Sequence, residues 1–182
     1  MSRKVTAHQY SSLNGVVEAP NLFQFDSFGP DEDEAISASV AGVTDVVIGA
    51  NLWREWSVFW PESDIEPFAS FINSVPKHVI CSAPAGELPW NSTVITGDPV
   101  EYVKALREGG SDGTISVAGG IATIRSLFLA GVIDELTVTV FPVITPDGAR
   151  LFDDTAPLTR LRLVDSRFTS VGNAMLTYAL PD

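Results

Sequence analysis

The sequence predicts an α/β fold: a mostly parallel central sheet with helices on both faces and an antiparallel C-terminal hairpin. Three observations carry that expectation. Residues 114–141, TISVAGGIATIRSLFLAGVIDELTVTVF, read as strand, turn, helix and strand. Thr114 to Ala118 is a short β-rich run, Ile121, Ile124 and Phe128 recur at helical spacing, and Leu136, Val138 and Val140 alternate with Thr137 and Thr139. Asp45 to Gly49 is an apolar run bounded by turn residues, which suits a parallel strand covered on both faces. Leu161 to Phe168 and Ala174 to Leu180, joined through Val171-Gly172-Asn173, read as a hairpin.

The remaining elements follow in chain order. Val5 to Ser11 predicts the first strand, and Ser12-Leu13-Asn14-Gly15 a turn, with Asn and Gly supplying left-handed conformations. The stretch holding Phe23, Phe25 and Phe28 reads as a structured loop over the body. Asp31 to Ala41 begins with acids that complement a helix dipole and continues with small helix-compatible residues. Gly49-Ala50-Asn51-Leu52 reads as a turn, followed by Trp53, Trp56 and Trp60 along one face of a short helix. Ile65 to Asn73 predicts a helix, His78 to Ser82 a strand, Ser82-Ala83-Pro84 a turn and Thr93 to Thr96 a short strand. Asp98-Pro99 then supplies an N-cap and a first-turn proline for a helix with Val100, Val103 and Leu106 inside.

With 182 residues, the chain is expected to fold as a single domain over residues 1–182. A 45% hydrophobic and 19% charged composition excludes a disordered chain. The formal charge of −12 argues against nucleic acid and anionic membranes as partners, and no apolar run reaches bilayer length. The N-terminus lacks a long apolar signal segment, so a cytoplasmic protein is expected. Cys81, the only cysteine, is expected as a small buried hydrophobe. His8 and His78 are too few and too far apart for a metal motif, and no metal site is expected.

The Gly119-Gly120 pair carries the chemistry. It turns tightly between strand and helix, and the following amides of Ile121, Ala122 and Thr123 lack intrahelical partners at the positive end of the dipole. Such a turn suits a phosphate, although it matches no standard nucleotide motif, and a plain strand-to-helix turn is the competing reading. Trp53 and Trp56 are either core or a lid beside a planar substrate. Asn14 either binds substrate or nicotinamide or closes its turn.

Several separated segments then align with one family. Ser12-Leu13-Asn14-Gly15 resembles an S-L-D-G, Asp45 to Leu52 a D-x-x-x-G-R-x-T, and Phe59-Trp60-Pro61 an aromatic-Trp-Pro. Pro76 to Ser82 resembles P-K-x-V-x-S, Ser116 to Ile121 the V-x-G-G/S turn, and Gly131 to Pro142 the G-x-x-D-E-L-x-x-x-x-x-P segment. In this order they resemble the dihydrofolate reductase-like proteins, among them the RibD C-terminal reductase domain of riboflavin biosynthesis enzymes.

The resemblance implies a three-layer fold and NADPH, or NADH, across the carboxyl ends of the strands. Gly119, Gly120, Ile121, Ala122 and Thr123 would contact its phosphates. Gly49, Ala50, Asn51 and Leu52 would approach the adenosine, and Ser82 the ribose phosphate. Homodimers are common among such relatives. The implied activity is hydride transfer to a small pterin- or pyrimidine-like substrate; the alternative is a binding or regulatory protein that keeps the fold without turnover. No proton donor is identified, and Asp31, Asp33 and Glu34 read as dipole partners of their helix. Ala50 stands where the family commonly has Arg or Lys, and Ala83-Pro84 follow Ser82 where a basic or polar residue is usual. Arg54 is the nearby cation that can compensate.

Overall fold

A nine-stranded sheet runs through the chain in the order β4-β5-β3-β2-β6-β1-β7-β9-β8. The computed structural model describes residues 2–82, 86–110 and 112–181. Strands β1 (Lys4–Ser12), β2 (Val43–Gly49), β3 (Lys77–Ile80), β5 (Ser92–Val94), β6 (Thr114–Gly119) and β7 (Glu135–Phe141) are mutually parallel. The short β4 (Glu87–Leu88) pairs antiparallel with β5, while β8 (Arg162–Phe168) and β9 (Ala174–Ala179) form the antiparallel hairpin beside β7. The expected fold class is therefore observed.

Alternation along the strands divides the core into two layers. Val5 and Ala7 of β1, Val47 of β2, Ile115 and Val117 of β6 and Leu136 of β7 face α4 (Pro99–Gly109) and α5 (Ile121–Leu129), which contribute Val103, Ile124, Leu127 and Phe128. Val46 and Ile48 of β2 and Val79 of β3 face the other way, toward α2 (Ala50–Phe59) and α3 (Phe68–Ser74). Helix α1 (Pro30–Val40) packs against α3. Each fully buried Val, Leu, Ile or Phe contributes about 1.5–3 kcal/mol of transfer free energy, so the two layers provide the main drive for folding.

Strands β3 and β5 each end two residues before the expected Ser82 and Thr96, and two helix starts differ from the sequence reading. Residues 50–52 do not form a turn, because α2 starts at Ala50 directly after the strand. The third helix starts at Phe68, not near Ile65, since Pro67 disfavours helical geometry at Glu66. Strand β4 was not anticipated. Residues 83–85, within the expected turn after Ser82, lie outside the described residues. The aromatic loop covers the sheet end in part: Phe23 is buried against Phe141 at 5.7 Å between centroids and Phe28 lies 6.5 Å from Tyr10, whereas Phe25 is 57% exposed.

Candidate nucleotide site

The ends of β2 and β6 lie side by side, with Ile48 opposite Gly119 in the parallel register. Both strands terminate in glycine and both lead directly into a helix, α2 from Gly49 and α5 from Gly120. The closeness of the two crossings explains the glycines. A Cβ on Gly49 would lie 2.8 Å from Thr123 Oγ1 and 3.2 Å from the Gly120 nitrogen. Gly119 adopts φ 133°, which L side chains rarely adopt, and a Cβ there would meet Leu52 Cδ2 at 3.0 Å. The Gly119–Gly120 peptide is cis.

Gly120 differs from its neighbours. Nothing lies within 4 Å of a Cβ built on it, so the turn opens outward. Neither α2 nor α5 has a side chain capping its N-terminus or an acid in its first turn. Amides without side-chain caps and the positive ends of two helix dipoles thus lie close together around the open Gly120 turn, with the Thr123 hydroxyl beside them, an arrangement suited to an anion. The fold brings Gly49, Ala50, Asn51 and Leu52 together with Gly119, Gly120, Ile121, Ala122 and Thr123.

A cavity of about 310 Å³ shares Ala50 with this junction. Its walls are Ala50, Trp53 and Arg54 of α2, Val79, Cys81 and Ser82 at the end of β3, and Leu88 of β4. Trp53 is fixed by an indole N–H donated to Ser92 Oγ at 2.9 Å. Arg54 donates to Asn51 Oδ1 at 2.7 Å. Cys81 is only partly buried and lies on the cavity wall, which differs from its expected place in the interior.

The other expected substrate residues do not line this cavity. Trp56 packs edge-on against Trp60 at 5.9 Å and Phe68 at 5.7 Å, within the core between α2 and α3. Asn14 joins the turn after β1 to the loop after β7: Oδ1 accepts from Ser12 Oγ at 2.8 Å and the Thr145 amide at 3.1 Å, and Nδ2 donates to the Thr145 carbonyl at 3.0 Å. For both residues, packing or turn closure is the role that the contacts describe.

The acidic first turn of α1 is also engaged. Arg167 donates to Asp31 and Glu34 at 2.9 Å each. Hydrogen bonds from Ser170, followed by Arg167, hold the Asp31 carboxyl down at about 2. Sequence reasoning passed over Glu32, which is 1% exposed. Its carboxylate accepts from Asn173 Nδ2 at 2.7 Å and from the Gly29 amide at 2.9 Å. Nearby on the sheet, His8 bonds Thr139 Oγ1 at 2.7 Å, and burial lowers its pKa to about 4. Burial, and then the Glu32 charge, raise Tyr10 to about 12. The signal for Glu32 was its position three residues after Gly29, the spacing of a capping pair.

The family comparison agrees with this architecture. The sequence model of the RibD C-terminal domain matches residues 3–176. The uncharacterized protein YyaP of Bacillus subtilis (strain 168) is 23% identical over 181 residues, covering 97% of this chain and 94% of YyaP. Among solved structures, a putative riboflavin biosynthesis protein from Shewanella sp. PV-4 superposes with a TM-score of 0.77 at 19% identity, each chain covered fully. Dihydrofolate reductase from Enterococcus faecalis, complexed with NADP(H), gives 0.65 at 14% identity, again over the whole of both chains. With a family match over nearly its entire length and the fold of those solved structures, the chain belongs to the RibD C-terminal domain family.

Proposed function

We propose that this protein is a reductase that transfers hydride from a nicotinamide dinucleotide to a small planar heterocycle of the pterin or pyrimidine class. The observation that carries the reading is the bare glycine junction at Gly49, Gly119 and Gly120. There the chain offers two uncapped helix N-termini and room for an anion, beside a cavity with apolar and cationic walls. The Gly120 turn and the Ile121, Ala122 and Thr123 amides would hold the pyrophosphate, while Trp53 and Leu88 would flank the adenosine. The cofactor supplies the hydride when bound; the protein positions donor and acceptor and excludes water. The relative complexed with NADP(H) supports the cofactor class.

Titration of the protein with NADPH and NADH, by reduced-nicotinamide fluorescence and calorimetry, tests the reading. Binding in the micromolar range, followed by cofactor oxidation with a dihydropterin or aminopyrimidine substrate, is the expected result. Absence of binding to both cofactors rejects it. Binding without turnover on any heterocycle would instead favour a regulatory ligand-binding role.

We also propose that the protein forms a homodimer through β8. This strand ends the sheet, and Leu163 and Phe168 on it are 52% and 79% exposed. An exposed apolar edge with unpaired backbone groups is a template for pairing with a second copy. Light scattering should give twice the 19.5 kDa chain mass, and a monomer would refute the interface.

A further inference from the structure

We propose that β4 and the turn after it form a strap, fastened by Trp90 and loaded to open by the Lys77 ammonium buried beneath that ring, and that its opening gates ligand exchange. The strap stands on the contacts below; only its effect on exchange rests on the nucleotide reading above. β4 is the outermost strand of the sheet, is two residues long and pairs only with β5. It nevertheless supplies Leu88 to the cavity wall, and Ser92, its neighbour on β5, accepts the indole N–H of Trp53 on the same wall.

Two unfavourable features meet where the strap is fastened. Trp90 and Asn91 lead from β4 to β5 with φ 61° and 47°, a left-handed conformation that a bulky aromatic residue rarely adopts. Side-chain contacts hold it: Trp90 donates its indole N–H to Asn73 Oδ1 at 2.7 Å, and Asn91 donates to the Ser74 carbonyl at 2.8 Å. The Lys77 ammonium lies 4.3 Å from the centroid of the Trp90 ring, on a residue only 1% exposed. Lys4 and Lys104 are paired with Glu135 and Glu101, whereas Lys77 has no ion pair among the described residues. Its surroundings are uncharged: Nζ donates to the Val75 carbonyl after α3 at 2.6 Å, and Val46 of β2 and Ser92 of β5 flank it in the sheet.

Burial lowers the Lys77 pKa from 10.5 to about 8, so lost solvation outweighs the attraction of the ring. The closed strap therefore holds this proton less tightly than an open one, in which the ammonium reaches water. By linkage, protonated Lys77 drives opening; the load is complete below about pH 8 and is relieved as pH rises toward 10.5.

The Val94 amide donates to the Gly86 carbonyl at 2.9 Å and is freed when β4 lifts, so its hydrogen exchange, divided by the intrinsic rate, reads the opening. Opening of the parent should be level from pH 6.5 to 8 and fall about tenfold by pH 9. Lys77→Met should lower opening at pH 7 by at least about tenfold, remove the pH dependence and leave the melting temperature unchanged or raised. Asn73→Ala, which removes the acceptor of the Trp90 indole, should raise opening about fivefold and keep the pH profile. Release of NADPH, followed by stopped-flow displacement, should slow in step with opening, both from pH 8 to 9 and in Lys77→Met. Opening that is level across pH 8, or that keeps the parental step in Lys77→Met, overturns the strap. Release that ignores these changes overturns the gate. A parent that binds no NADPH rejects the nucleotide reading and the gate with it, while the exchange profile still decides the strap.

Discussion

Two ends of the molecule handle polar groups in opposite ways. At the β2–β6 end, two helix N-termini have no capping side chain, Gly120 faces open space and Arg54 has no carboxylate partner among the described residues. At the α1 and β8–β9 end, carboxylates are engaged by the chain itself: Glu32 with Asn173 and Gly29, and Asp31 and Glu34 with Arg167, while Asn173 also donates to the Ser27 carbonyl. The open end leaves polar groups for a ligand to satisfy. The closed end uses the same chemistry to anchor a helix and a hairpin that are distant in sequence.

The largest expected effect breaks the open end. Gly120→Asp places a carboxylate where a phosphate would sit, and no atom within 4 Å obstructs its Cβ. Binding of NADPH should fall by at least about 100-fold, from lost amide contacts and charge repulsion. Stability should be retained or increased, because Asp is a favourable N-cap. Calorimetry and thermal unfolding together check both halves; unchanged affinity in the folded variant would remove the phosphate site. Gly49→Ala should weaken NADPH binding by about tenfold with a smaller stability loss, because its methyl group displaces Thr123 and the Gly120 nitrogen.

The closed half of the molecule should respond in stability. His8 is lowered from an ordinary 6.5 to about 4 by burial, so the unfolded state binds more protons between these values. Stability is thus fully present above about pH 6.5 and falls toward pH 4, by about 3 kcal/mol if this group acts alone. Urea unfolding from pH 7 to 4.5 should show that loss, and His8→Gln should flatten the His8 part of the profile. Glu32→Ala leaves the buried Asn173 amide without its carboxylate and should cost about 2 kcal/mol, with nucleotide affinity unaltered. Arg167→Ala is the smallest change, since Arg167 and Glu34 are solvent-exposed and Asp31 keeps its bond from the Ser170 amide: melting should shift by less than about 2 °C.

Local rules made most of the sheet legible, whereas at Gly119-Gly120 they suited a plain turn as well, and only the family resemblance joined that turn to residues 49–52. Alternation marked β7, the Val171-Gly172-Asn173 turn marked the β8–β9 hairpin, the continuous apolar run marked β2, and Asp98-Pro99 marked the start of α4, where Asp98 does accept from the Glu101 amide. The start of α2 was hidden because Gly-Ala-Asn-Leu also suits a turn, and β4 has only two residues, too few to show a period. Glu32 escaped notice because Asn173, which makes its burial tolerable, lies 141 residues away. Arg54 was recognisable as a nearby cation, but only the helical register placed it on the same wall as Ala50 and Ser82.

The position of Trp53 has an optical consequence. Its indole lines the cavity and is held by Ser92, while Trp56 and Trp60 lie in edge-to-face contact farther along the same helix and its exit. Indole emission overlaps the absorption band of a reduced nicotinamide ring. The helix therefore forms an antenna beside the proposed cofactor, and occupancy should be readable as quenched ultraviolet emission with sensitised blue emission, without any attached dye.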